Sequence, residues 1–244
     1  PGLGGLAYSA RGLKLVAKSH PPPVAGTLIN RRRLREALAG QPNVIVVEPS
    51  HMWWFVHITL PQLSTATSVV ITGDPWASSD RSTSNINGWV HHPLVKHVWA
   101  EDWADALLPQ KVQILPIGFE TNIEALYPLL TEAADSLPPA QERPSRVYSN
   151  AHLKTYRHTR SGGVNDRQML LDAIGNHPAV DWVNTRMSHD QVWWAHKEAA
   201  FELCPQGNGF DTHRIYEALL LGSVPIVVNS TLWPLHRQFP IIVL

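Results

Sequence analysis

Cysteine is nearly missing from this chain: Cys204 is the only one in 244 residues. That excludes an internal disulfide and any zinc site built from several thiolates. Its place at the end of an apolar run reads as a small buried hydrophobe. Net charge is missing too. Twenty basic residues balance 20 acidic ones, so there is no global footprint for nucleic acid or a membrane surface. No apolar run approaches roughly 18 residues, so no membrane span is expected, and no signal-peptide pattern is visible. His91, His92 and His97 cluster without a carboxylate at partnering spacing, so no metal site is expected. The chain lacks an initiator Met and stops on Ile241-Ile242-Val243-Leu244. The expectation is a fragment truncated at both ends.

Hydrophobic residues make up 44% of the chain, enough to build real cores. The first half alternates short β-branched runs with helical stretches. Strands are expected at Leu13–Lys18, Val44–Val47, Ser68–Thr72, Leu94–Ala100 and Lys111–Pro116, and helices at Asn30–Leu38 and Trp103–Leu108. The segment His51–Leu60 fits either type, with Trp53, Trp54 and Phe55 read as core. The connections are too long for hairpins, which argues a parallel, doubly wound α/β sheet. Pro128, Pro138, Pro139 and Pro144 punctuate a linker at 127–144. It separates a domain at 1–126 from one at 145–244. The second opens with a basic stretch in which Arg143, Arg146, Lys154, Arg157, Arg160 and Arg167 face one acid, Asp166. That stretch suits either a polyanionic ligand or plain solvent.

Chemistry concentrates at 199–228. An apolar run, Ala199–Leu203, ends in Cys204-Pro205. The loop Gln206-Gly207-Asn208-Gly209-Phe210 follows, then a helix pattern from Thr212 to Leu221, then Gly222 and the strand Val224–Val228. In such sheets, ligands sit beyond the carboxyl ends of the strands, against helix N-termini. Gly207 and Gly209 let the backbone approach a ligand. Asp211 is the expected N-cap. Unpaired amides in the first turn suit an anion. Arg214 and Glu217 lie three residues apart, roughly 60° around the axis, and so share a face. Arg214 suits a phosphate, Glu217 a pair of ribose hydroxyls. The competing reading is a surface ion pair between them.

The stretch CPQGNGFDTHRIYEALLLGSVPIV resembles the C-terminal motif of exostosin-type glycosyltransferases, and more closely the ribitol xylosyltransferase-like branch. Gln206 stands where that pattern usually has Arg, so another cation is needed there. In the first half, a strand ending Thr-Gly-Asp, a His-Pro pair, a strand ending in acids and Val-Gln-Ile-Leu-Pro-Ile-Gly are similar to the family's N-terminal domain.

The resemblance implies a GT-B arrangement, two Rossmann-like domains facing a cleft. It implies inverting transfer of a sugar from a nucleotide donor, with UDP expected, to a hydroxyl of a glycan or glycoconjugate acceptor. No metal or other cofactor is required. The donor is expected against Arg214, Glu217, Asp211, His213, Gly207, Asn208 and Gly209, with Arg157, Arg160 or Arg167 adding charge. Inversion needs a base from the first domain, and Asp74 is the first candidate, followed by His51 and Asp102. The compartment is the Golgi lumen, through an upstream anchor, if the source is eukaryotic, and the cytoplasm otherwise. Two other readings remain: an inactive nucleotide- or sugar-binding module, and an epimerase or phosphorylase on the same fold. A phosphorylase needs a cofactor lysine, and none follows Lys197.

Overall fold

The computed structural model describes residues 43–47, 52–72, 86–101, 110–119, 125–153, 166–207 and 209–244. Several sequence expectations lie outside them: Leu13–Lys18, Asn30–Leu38, Trp103–Leu108, His51, Asp74, Asp102, Lys154, Arg157, Arg160 and Asn208.

The described chain forms two parallel sheets with helices in the crossovers. Strand β1 (Val44–Val47) leads into a helical segment, α1, that starts as an α-turn at Met52–Trp54. It widens into a π-turn at Phe55–Thr59 and tightens into a 3₁₀ turn at Leu60–Gln62. The 51–60 stretch, which fitted either type, is therefore helical. Its aromatic residues split. Phe55 is buried with its ring edge-on to Trp89 at 5.3 Å, while Trp53 is 47% exposed. Strands β2 (Thr67–Ile71), β3 (Val95–Glu101) and β4 (Val112–Leu115) follow, with α2 (Ile86–Val90) between β2 and β3. The order is β1-β2-β3-β4, every pair parallel. β-Branched residues supply much of the buried face of these strands, while Val46, Lys96, His97 and Gln113 are exposed. Val69, Val95 and Val98 are sealed in a core with Phe55, Leu60 and Trp89.

The segment expected to be a linker, 127–144, carries a helix. Helix α3 (Tyr127–Asp135) begins with Pro128 in its first turn, where a missing N–H costs nothing and the fixed φ suits a helix. Leu130 and Ala133 are buried against Trp193 and Leu221 of the second half. Within this segment the apolar face of α3 packs against the second half. Arg143, in the same segment, is buried. Its Nη1 donates to Leu221 O at 3.0 Å and its Nε to Pro138 O at 3.3 Å.

The second sheet comprises β5 (Val147–Ser149), β6 (Val180–Trp182), β7 (Phe201–Leu203), β8 (Val224–Val227) and β9 (Ile242–Val243). Helices α4 (Asp166–Ile174), α5 (His189–Glu198), α6 (His213–Leu220) and α7 (Trp233–His236) make the crossovers. The order is β6-β5-β7-β8-β9, again all parallel. The chain goes outward from β5 to β6, then returns to the far side of β5 as β7. That reversal is a topological switch point, and the crevice beyond the strand ends there is where such sheets hold ligands. Helix α5 starts with Ser188 as N-cap and Gln191 closing a capping box. Lys197 ties its end to α3 by donating to Ser136 O at 3.1 Å. Helix α6 ends at Gly222, where φ is +74°.

Candidate functional site

A cavity of about 680 Å³ opens at the switch point. Asn150 and His152, just past β5, form one wall. Arg186, Met187 and Ser188, in the turn before α5, form a second. Thr212, His213, Arg214 and Glu217, at the start of α6, form the third. The spacing inferred from sequence is realised here, because Arg214 and Glu217 share the helix face that looks into the cavity. The opposite face of α6 buries Ile215, Tyr216 and Ala218.

Among the described residues, Arg214 and Glu217 form no ion pair or hydrogen bond with each other. Arg214 Nη1 instead lies 3.4 Å from Oε1 of Glu202 on β7. Burial pushes the Glu217 carboxyl up, opposed first by the charge of Arg214. Glu202 is completely buried, and burial pushes its carboxyl up to about 8 against the pull of Arg214. His196 on α5 sits 3.0 Å away on the other side, and burial, then the Arg214 charge, holds its imidazole well below the ordinary range. Neither Glu202 nor His196 was singled out from sequence. The signal was present: an acid in the middle of the apolar run Ala199–Leu203, on a strand covered on both faces.

Asp211 is not the helix cap. Thr212 is the N-cap residue, with no side-chain cap bond. Asp211 is buried one position earlier. Its Oδ1 accepts from Thr212 N at 2.9 Å, and its Oδ2 accepts from Ile117 N at 2.9 Å and Tyr216 Oη at 2.6 Å. His213 shows a divided role. Its Nδ1 lies 2.7 Å from Gly118 O, while the residue also lines the cavity. Through Asp211 and His213, the loop after β4 docks on the start of α6. This junction was invisible in the sequence because its partners lie 94 and 95 residues apart.

Gly207 and Gly209 follow β7 but are not among the residues lining the cavity. Arg167, on α4, organises this loop. Its Nε donates to Gln206 O at 2.8 Å and its Nη1 to His152 O at 2.6 Å. One guanidinium thus joins the two loops that diverge at the switch point. Burial, then the nearby Arg214 charge, lowers its pKa to about 10. Its Nη2 would stand 3.2 Å from a Cβ at position 207, which gives Gly207 a packing reason. The basic stretch is largely structural where it is described. Arg143 holds the end of α6, and Arg146 pairs with Asp181 and donates to Pro178 O at 2.7 Å. Cys204 is buried, as expected, with burial driving its thiol well up. Among the described residues, no group of three or more His, Cys, Asp or Glu is placed to hold a metal ion, and no helix is long and apolar enough to cross a membrane.

A parallel α/β sheet with a cation and a carboxylate on one helix face, beside a cavity at the switch point, is the arrangement in which open α/β domains hold small ligands. Within it, residues 163–234 match the family described as the RXYLT1 C-terminal domain, from ribitol xylosyltransferase 1. The matched span takes in α4, α5, α6 and their loops, so it contains Arg167, Arg186, His213, Arg214 and Glu217. The match supports the ribitol xylosyltransferase-like branch for this segment and suggests a glycosyltransferase-like family. Compared with curated proteins, the chain gives no match.

Proposed function

We propose that the chain is part of a glycosyltransferase that moves a sugar, a pentose in the first instance, from a UDP-linked donor to a hydroxyl acceptor with inversion. The observation that carries this reading is the paired presentation of Arg214 and Glu217 to the cavity at the start of α6, inside the matched span. When the glycosidic bond breaks, the nucleotide diphosphate gains negative charge. A preorganised guanidinium and free helix amides stabilise that charge without reorganising. Glu217 binds the ribose hydroxyls. His213 is fixed at Nδ1 and turns its remaining edge to the diphosphate. Arg167 holds the loops that frame the site and supplies long-range positive charge in place of the Arg that the motif usually carries at position 206.

In this reading the four-stranded sheet belongs to an acceptor-side domain up to 126, the segment 127–144 joins the halves, and the donor-side domain starts at 145. The two face a cleft in the GT-B manner of exostosins. The base that takes the acceptor proton comes from the first domain, with Asp74 ahead of His51 and Asp102. The cation duty falls on arginine, so no metal is required. A donor screen tests the proposal: UDP release from UDP-xylose, UDP-glucose, UDP-galactose, UDP-glucuronate and UDP-N-acetylglucosamine, each with a panel of acceptors. Turnover of one donor supports it. Binding of UDP without transfer under any condition makes the chain a nucleotide-binding module instead.

A further inference from the structure

A buried carboxylic acid stands behind the cavity, unused by the reaction described above. Glu202 lies on β7, fully enclosed, with Arg214 Nη1 at 3.4 Å and His196 Nε2 at 3.0 Å from its Oε1. Its Oε2 makes no hydrogen bond to any described group, and neither does Nδ1 of His196. Unsatisfied polar atoms at such depth are costly, and an apolar pair of the same volume would serve stability as well or better. A purely structural role leaves that cost unexplained. Arg214, by contrast, reaches from this cluster to the cavity, with 18% of its side chain exposed. Its guanidinium is a rigid planar fork, so anchoring one nitrogen fixes where the others point.

We propose that Glu202 is a positioning residue for Arg214, holding the guanidinium by one edge from behind so that the other edge faces an anion in the cavity. This rests on the nucleotide-binding reading above. The strength of the hold depends on the charge of Glu202. Around neutral pH the burial-raised carboxyl keeps most of its proton, the contact to Arg214 is weak, and the guanidinium keeps its charge for the ligand. Ionised, Glu202 competes with the ligand for the same cation. The groups facing it are His196 on α5, Arg214 and Glu217 on α6, Tyr148 on β5, and Cys204 just past the end of β7. Tyr148 is raised to about 12 and Cys204 well above its ordinary range, while His196 is already neutral. Glu202, raised to about 8, therefore changes charge between about pH 7 and about pH 9.

Calorimetry with two probes, UDP and inorganic sulfate, reads this directly. Wild-type affinity for both is expected to fall by about fivefold or more between pH 7 and 9. By reciprocity, binding near pH 8 takes up a fraction of a proton, seen as a buffer-dependent heat. Glu202→Gln should flatten the pH profile and abolish the proton uptake. If Glu202→Gln does not fold, Arg214→Gln decides, because with no cation to compete for, its weaker residual binding should show a flat profile. An unchanged wild-type affinity over the range, or a profile that persists in either variant, overturns the proposal. Sulfate binding with the expected profile but no UDP binding leaves the positioning role standing and removes the nucleotide reading. Binding of neither probe removes both.

Discussion

Single side chains in this protein do more than one job, and the structure says which job a substitution will expose. Arg214 is the clearest case. Its placement between Glu202 and the cavity makes it a phosphate ligand in the proposed reaction. Arg214→Ala should weaken UDP by about 1.5–3 kcal/mol, the usual worth of a hydrogen bond to a charged group. Unchanged affinity in calorimetry would remove the residue from the site. Glu217 is assigned to the ribose, so Glu217→Ala should weaken UDP more than pyrophosphate, and equal losses would contradict that contact. Gly222 carries a prediction of a different kind. Its φ of +74° is strained for any side chain, and a Cβ there would meet Arg143 Nη2 at 2.6 Å. Gly222→Ala should therefore cost about 1–3 kcal/mol in urea unfolding. The Arg143 contact does not relax cheaply, because the guanidinium is pinned to two carbonyls.

At the scale of elements, helix α3 shows that a proline-punctuated segment can carry a packed helix. Four prolines between 128 and 144 mark the segment as a linker, and Pro128 occupies the one helical turn that tolerates it. Leu130 and Ala133 seat the helix on Trp193 of α5. Leu130→Ala should destabilise the protein by about 2–4 kcal/mol, measured by denaturant unfolding. A spacer would lose almost nothing. The strands and α6 were legible because β-branched runs and a 3.6-residue apolar stripe carry their own period. The pairing of Arg214 with Glu217 on one face was legible for the same reason. What was not legible depends on distance along the chain. Arg167 joining the loops after β5 and β7, Asp211 receiving the Ile117 amide, and Glu202 reaching Arg214 all cross between elements. Asp211 illustrates the difference. Local grammar made it the cap, since an acid before a helix usually is one. Burial beside Tyr216 and Ile117 gave its oxygens other donors.

For the molecule as a whole, the buried pair behind the cavity should shape stability against pH. The folded state keeps the Glu202 proton up to about 8, whereas the ordinary value is 4.5. Between those values the native protein holds a proton that the unfolded chain has released, so stability falls as pH rises through the window and levels off above it. Glu217, also raised by burial, adds a slope of the same sign nearer its ordinary range. His196 works the other way. Its native pKa is pushed well below the ordinary 6.5, so the unfolded chain gains a proton first as pH drops, and stability is lost on the acid side of 6.5. The Glu202 and His196 slopes oppose each other below 6.5, and only the Glu202 slope survives above it. One proton over the interval from 6.5 to 8 corresponds to about 2 kcal/mol. The melting temperature should thus decline as pH is raised across that interval. Glu202→Gln should abolish the decline, and His196→Gln should leave it while reducing the acid-side loss. A melting temperature that climbs between pH 6.5 and 8, or a decline of equal size in Glu202→Gln, would show that the buried carboxyl is already ionised in the native protein.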